Sequence, residues 1–388
     1  MKPGSIALFS LALGGLCIGT TEFAAMGLLP FIASGLGVTI PAAGHIITAY
    51  ALGVVVGAPL LTVLAARWDR KMLLMILMAF YTAGNVFSAF APTLGALVLG
   101  RFLTGLPHGA FFGVGAVMGA HIAGPGRRGR AVAVMMAGLT IANVVGVPAI
   151  TWAGLALGWR LSYIGVGLLG LASVVAVWKW IPGLPVHSEA SVSREFSALA
   201  NGPLWLVFAS GAVGFGGMFA VYSYVSPLLT ETAGLSIKAV PLVLALFGVG
   251  MTIGALVGGR VSDRSVVGAV LLGFALTALV LLWLGLTASR AWSAVIGIFA
   301  LGVVTQILAI SFQARLMDLS PSAPSLGAAL CHSGLNIGNG AGAWLGGLVL
   351  ASGAGNLAPS WVGIGLTLAG GLLFLTTLAF ERARRSPR

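Results

Sequence analysis

The chain has 388 residues, 59% of them hydrophobic and only 7% charged, with a formal net charge of +12. Soluble domains carry about 25% charged residues, so this composition excludes an ordinary soluble domain and describes a protein that crosses a membrane many times. Two cysteines, Cys17 and Cys331, lie in apolar stretches without CxxC or Cys/His spacing, which argues against a disulfide framework or a metal centre and reads them as small core residues.

Apolar runs between polar breaks give twelve expected spans, at 5–30, 41–66, 72–92, 95–122, 131–156, 161–181, 203–229, 239–258, 266–288, 292–313, 325–350 and 359–380. The first follows Lys2 and is too long for a signal h-region, so it is expected to stay as a span. With the N-terminus inside, sixteen basic residues fall in cytoplasmic connections and only Arg160, Lys238 and Arg290 fall outside. That asymmetry sets the orientation, with both termini cytoplasmic. It also explains the high net charge as topology, and a nucleic-acid partner is not expected.

Within the first span, Ser5 to Leu29 is apolar or small apart from Glu22. A carboxylate costs about 2.5–3.5 kcal/mol in hydrocarbon on insertion scales, so it persists where it faces a protein interior or a water-lined path. Every other acidic residue falls in or beside a polar connection, which singles out Glu22 as the candidate proton-binding group. A carboxyl in surroundings that alternate between dry and paired takes up and releases a proton at working pH. The fourth span supplies the pairing cation. Arg101 and His108 lie seven residues apart, two helical turns, on one face. Helix rise puts Arg101 roughly 9 Å deep, His108 roughly 20 Å and Glu22 between them. His108 follows Pro107 and is the candidate titrating partner; Arg101 cannot shed its proton and is expected to bias Glu22.

The long polar connection Pro182 to Gly202 separates six spans from six, giving an N-terminal bundle at 1–182, a cytoplasmic linker at 183–202 and a C-terminal bundle at 203–388. An internal repeat supports the division. Residues 138–146, GLTIANVVG, match 334–342, GLNIGNGAG, at an offset of 196, and Gly53, Gly57 and Arg67 match Gly250, Gly254 and Arg264 at an offset of 197. A duplicated six-span unit is the architecture of a transporter whose substrate binds between the halves. The small-xxx-small spacing of these segments lets helices approach closely; for most of the 58 glycines that is static packing, and movement is expected only at the fifth and eleventh spans.

Phe23, Met26, Tyr50, Phe111 and Phe112 in the first half, and Phe215, Met218, Phe219 and Tyr222 at i, i+3, i+4, i+7 in the seventh span, are the expected apolar lining of a substrate cavity. Interhelical packing is the competing role for each. Gln306, His332 and Asn336 are its expected polar groups. Walker loops, HExxH and paired carboxylates within one span are absent, so an enzyme is not indicated, no cofactor or metal is expected, and uphill transport would draw on a proton gradient.

Through TTEFAAMGLLP, PAAGHIITAYALGVVVGAP and GRFLTGLPHGAFFGVG the chain resembles the major facilitator superfamily, in its twelve-span drug:proton antiporter branch near the AraJ-like and sugar-efflux-like bacterial transporters. The resemblance covers essentially the whole chain. It implies an all-α membrane protein of two pseudo-symmetric six-helix bundles, a monomer in the bacterial inner membrane, exchanging a small amphiphilic drug or sugar-like compound for protons by alternating access. Uptake or facilitated diffusion of a sugar is the alternative. The family's first-span acid falls on Glu22, its span-four arginine and glycine on Arg101 and Gly105, and the sugar-efflux histidine on His108. Its gating motif is degenerate in the first half, where Arg67, Arg70 and Lys71 remain but Thr62, Ala66 and Asp69 replace Gly, Asp and Gly. In the second half, Asp263 and Arg264 match. Its span-five antiporter motif reads GLTIANVVGV, with Ala142 and Asn143 for Gly-Pro, so Asn143 and its repeat partner Asn339 are candidate gating residues.

Overall fold

In hydrocarbon every backbone N–H and C=O needs an internal partner, which leaves an apolar chain only helices or a closed barrel. Here the choice is helix. A computed structural model describes residues 3–64, 68–124, 128–183, 201–321 and 324–385. It contains twelve long helices in chain order: α1 Pro3–Leu36, α2 His45–Leu64, α3 Arg70–Ala89, α4 Leu94–Ala123, α5, α6 Trp159–Trp180, α7, α8 Val240–Arg264, α9 Val266–Thr287, α10 Ala291–Asp318, α11 Pro324–Ala351 and α12 Ala358–Arg385. Of these, α5 consists of Arg128–Ile141 and Val147–Leu157 joined by a π turn at Ala142–Gly146. The seventh, α7, consists of Gly202–Gly214 and Gly216–Tyr222, followed by a π turn at Leu228–Thr232. Among the described residues eleven helices are long and apolar enough to cross a membrane; α11, which carries His332, Asn336 and Asn339, is not in that set.

The helices outrun the apolar segments at their polar ends. α1 continues past the expected residue 30 to Leu36, through Pro30, and α10 continues through Arg315 to Asp318. Polar side chains interrupt a hydropathy run without interrupting the backbone ladder, so hydropathy marks the span and not the helix. Asp69 has a local role: its carboxylate accepts the Met72 N–H at 2.8 Å and caps α3. Thr93 and Ser265 cap α4 and α9 in the same way.

The chain divides into two compact units, Met1–Ser188 with Ser236–Gly248, and Glu189–Leu235 with Val249–Arg388. The first turns of α8 therefore group with the first unit, where a Cβ on Gly248 would lie 2.4 Å from the Asn143 carbonyl oxygen and one on Gly27 would lie 2.7 Å from Leu244. Most of the connection 183–202 lies outside the described residues.

Inside each unit the sequence repeat is a repeat of contacts. A Cβ on Gly53 would strike the Phe102 carbonyl at 2.1 Å and one on Gly57 the Leu106 carbonyl at 2.1 Å. In the other unit Gly250 meets the Phe299 carbonyl at 2.4 Å and Gly254 the Val303 carbonyl at 2.2 Å. All four donor and target positions are shifted by 197, so the duplicated glycines hold α2 on α4 and α8 on α10 in the same way. The first unit's core gathers Leu11, Ile18, Leu74, Met78, Tyr81, Phe111 and Met118; the second gathers Leu204, Phe215, Phe274, Leu308, Phe312 and Phe374.

The repeat breaks in α5. Its π turn sends the Val147 N–H back to Ala142, and the next residue, Pro148, has no N–H for the Asn143 carbonyl. At the matching place in α11 stands Trp344, which has an N–H, and that helix is uninterrupted from Pro324 to Ala351.

Candidate functional site

The first unit encloses a polar cluster built on α1, α2, α3, α4 and α6. Arg101 on α4 is 0% exposed. Its guanidinium is held from α1: Nη1 donates to Thr21 Oγ1 at 3.1 Å and Nη2 to the Thr21 carbonyl at 3.0 Å. The Thr21 hydroxyl in turn donates to Asn85 Oδ1 on α3 at 2.7 Å, and Asn85 Nδ2 donates to the Tyr81 carbonyl at 3.0 Å. Tyr81 closes the ring by donating to the Cys17 carbonyl. Aromatic faces complete the cage, with the guanidinium carbon 4.4 Å from the Tyr50 ring centre and 5.6 Å from that of Tyr163. Hydrogen bonds and aromatic faces thus hold the buried cation in place of water. The Nε atom of Arg101 has no hydrogen-bond partner among the described residues.

Glu22, the next residue after Thr21, is 7% exposed. It forms no ion pair with Arg101; among the described residues the ion pair is Arg315 with Glu381. The two residues are linked through Thr21, the chain neighbour of Glu22 that accepts from Arg101. Tyr50 links the second expected partner: its hydroxyl lies 3.0 Å from His108 Nδ1, and the imidazole packs 5.3 Å from the Phe112 ring. Glu22, Arg101, Tyr50 and His108 therefore belong to one buried neighbourhood, and the helical register of Arg101 and His108 holds. Thr21, Asn85, Tyr81 and Tyr163 were not singled out in the sequence. Asn85 was the available signal, an amide in the apolar third span.

The expected cavity residues divide between roles. Phe111 fills the space left by Gly14, where a Cβ would lie 2.1 Å from its ring, and Phe215 stacks edge-on against Phe312 at 5.5 Å. These two are core residues of their units. The i, i+3, i+4, i+7 stripe of α7 also meets an interruption at Phe215, between its two helical segments. Phe23, Met26, Met218, Phe219 and Tyr222 are buried, and Gln306 is half-buried beside Gly254. His332 is half-buried on α11, and its carbonyl accepts from Asn336 Nδ2 at 3.0 Å. Asn336 Oδ1 and both amide atoms of Asn339 are buried without a partner among the described residues, and so is Asn143 Oδ1, whose Nδ2 donates to the Leu139 carbonyl.

Of the gating set, Arg67 lies outside the described residues, while Arg70 and Lys71 open α3. Asp263 and Arg264 are exposed at the end of α8, and neither is ion-paired with a described residue. The ion pair that does form joins the last turns of α10 and α12, Arg315 to both carboxylate oxygens of Glu381.

With this geometry in hand, a family model of the Major Facilitator Superfamily matches residues 11–324. The chain is 40% identical over 381 residues to the inner membrane transport protein YdhP of Escherichia coli (strain K12), covering 98% of this chain and 96% of that one. It is 33% identical over 374 residues to a chloramphenicol resistance protein of Streptomyces lividans, covering 95% of each. A crystal structure of a bacterial homologue of the human lysosomal transporter Spinster, inward-facing and unoccupied, superposes with a TM-score of 0.75 at 16% identity over the whole of both chains, a likeness of fold.

Proposed function

The chain belongs to the major facilitator superfamily, as a multi-pass membrane transporter, and on that premise we propose that it exports a small amphiphilic compound across the bacterial inner membrane in exchange for protons. The observation that carries this reading is the placement of Glu22. It is the one acid in the interior of a span, and it follows directly the residue that anchors the buried Arg101. A carboxyl beside a buried cation, in a cluster that also holds His108 through Tyr50, is a group whose proton occupancy and local charge balance change together. Proton binding at Glu22 would remove the negative charge next to the residue that holds Arg101, and the two six-helix bundles would respond by alternating access. Export is favoured over uptake by the resistance protein among the relatives.

The test uses purified protein in proteoliposomes with chloramphenicol as the first probe. Glu22→Gln keeps the shape and removes the proton site. We expect gradient-driven transport to be lost while the variant unfolds at the wild-type temperature; proton-driven flux unchanged in the variant would end the mechanism.

A further inference from the structure

The C-terminal end of α10 is held by polar bonds from three other parts of the second unit. They meet it at Ser311, Arg315 and Leu319, one helical turn apart. Ser311 donates its one hydroxyl proton to the Ile307 carbonyl at 2.8 Å, so in its 2.7 Å pair with Ser262 of α8 it accepts. Arg315 Nη2 donates to both carboxylate oxygens of Glu381 on α12. The Leu319 carbonyl, beyond the reach of the N–H groups of α10 itself, accepts Asn201 Nδ2 at 2.8 Å. Asn201 stands at the exit of the connection 183–202, in the capping position of α7. Asparagine is a preferred cap, yet this side chain makes no bond to the first turn of α7 and is committed to α10.

The first unit has the same contacts without the bonds. At the offset of 197 that relates α4 to α10, Ser311, Arg315 and Leu319 fall on Val114, Met118 and Ile122, and Asn201 falls on Gly4. Val114 and Met118 belong to the apolar core, and Ile122 packs against it. The contact at the start of the half is kept as well: a Cβ on Gly4 would lie 3.8 Å from the Ile122 carbonyl, at van der Waals distance and with no donor to offer. Duplication thus brings the same positions together in both halves, and in the second they are joined by directional bonds. Apolar surfaces slide without leaving a group unpaired. Ser262 and Ser311 are 8% and 0% exposed, and Arg315 and Glu381 12% and 16%, so parting them leaves donors and acceptors short of both partner and water.

We propose that Ser311–Leu319 is a clasp. It binds the exit of the connection, α8 and α12 to one helix end, so that these four pieces open as a single cooperative unit, and a pull on the connection reaches α12 through α10 and is not confined to α7. The clasp is independent of the cargo and of proton exchange.

Hydrogen exchange of the full chain in detergent micelles tests it, because local opening is read there segment by segment. Glu381→Gln keeps the shape of the side chain and removes its charge; Asn201→Asp removes the Nδ2 donor at nearly constant size. Glu381→Gln should speed exchange at the end of α10 by about tenfold, and also in the first turn of α7, which residue 381 does not touch. Asn201→Asp should speed it by about fivefold at the end of α10, and also in the last turns of α12. The double variant should exchange no faster than the faster single one, and the end of α4 should exchange as in wild type throughout. A rise that stops at the direct partner of the substituted residue overturns the clasp, as does no rise in either variant. So does a double variant whose rise is the product of the two single ones, since three separate bonds would behave in that way.

Discussion

Replacing Thr21 by Val removes one hydroxyl and almost no volume, yet that hydroxyl is the hinge of the buried cluster. It accepts from Arg101 Nη1 and donates to Asn85 Oδ1. A hydrogen bond to a charged group contributes about 1.5–3 kcal/mol in soluble proteins. Interhelical hydrogen bonds measured in membranes average about 0.6 kcal/mol and reach about 1.7, because the unfolded helices find other partners. The higher figures apply here, since Arg101 is fully buried, its Nε already lacks a partner and Asn85 loses its donor as well. The expected loss is about 2 kcal/mol, or about 4 °C in melting temperature at about 2 °C per kcal/mol. The chain carries its own reporters, because Cys17 and Cys331 are both buried free thiols that react with a maleimide dye only on unfolding. Thr20→Val is the matched control: it is equally buried, but its hydroxyl bonds only the Leu16 carbonyl of its own helix. Thr20→Val should stay within about 1 °C of wild type. Equal shifts for the two variants would refute the claim that Thr21 holds Arg101.

Asp69→Ala should lower stability by about 1 kcal/mol and Asp69→Asn should restore most of it, as a helix cap requires; thermal unfolding of both variants checks this against a charge-based gating role. Gly53→Ala and Gly250→Ala both drive a Cβ into a carbonyl of the facing helix and should each cost more than about 1 kcal/mol, whereas Gly365→Ala, with nothing nearby, should be neutral or stabilising by up to about 1 kcal/mol. Arg315→Ala should destabilise by about 1–2 kcal/mol, since the pair is only 12% and 16% exposed, and the double exchange Arg315→Glu with Glu381→Arg should recover part of that in the same melting assay. Tyr50→Phe leaves the ring over Arg101 but removes the bond to His108, so the fold should hold to within about 1 kcal/mol while the pH profile of transport changes.

Family, helical class and the singular position of Glu22 were legible in the sequence because each depends on one-dimensional information: hydropathy over about twenty residues, loop charge, and which residue types interrupt a span. The repeat was legible for a related reason. Glycines that touch a neighbouring backbone admit no substitute, so Gly53, Gly57, Gly250 and Gly254 kept their spacing in both halves and pointed to the same helix pairs. Even the shared face of Arg101 and His108 follows from helical arithmetic within one element.

Tertiary structure alone decided what those residues touch. Arg101 reaches Thr21 and not the carboxylate beside it, and the chain Arg101, Thr21, Asn85 joins three helices whose mutual rotation no single span encodes. Spacing alone did not show that Phe111 sits in the gap left by Gly14 and against Phe112, or that Phe215 packs on the ring of Phe312. Asp69 stood where a gating glycine was expected and proved to cap a helix, while the ion pair appeared at Arg315 and Glu381, residues 66 apart. The physical reason is the same throughout. Span formation is set by local transfer from water to hydrocarbon, whereas the partner of a polar group is set by how helices rotate and approach, and that depends on every side chain packed between them.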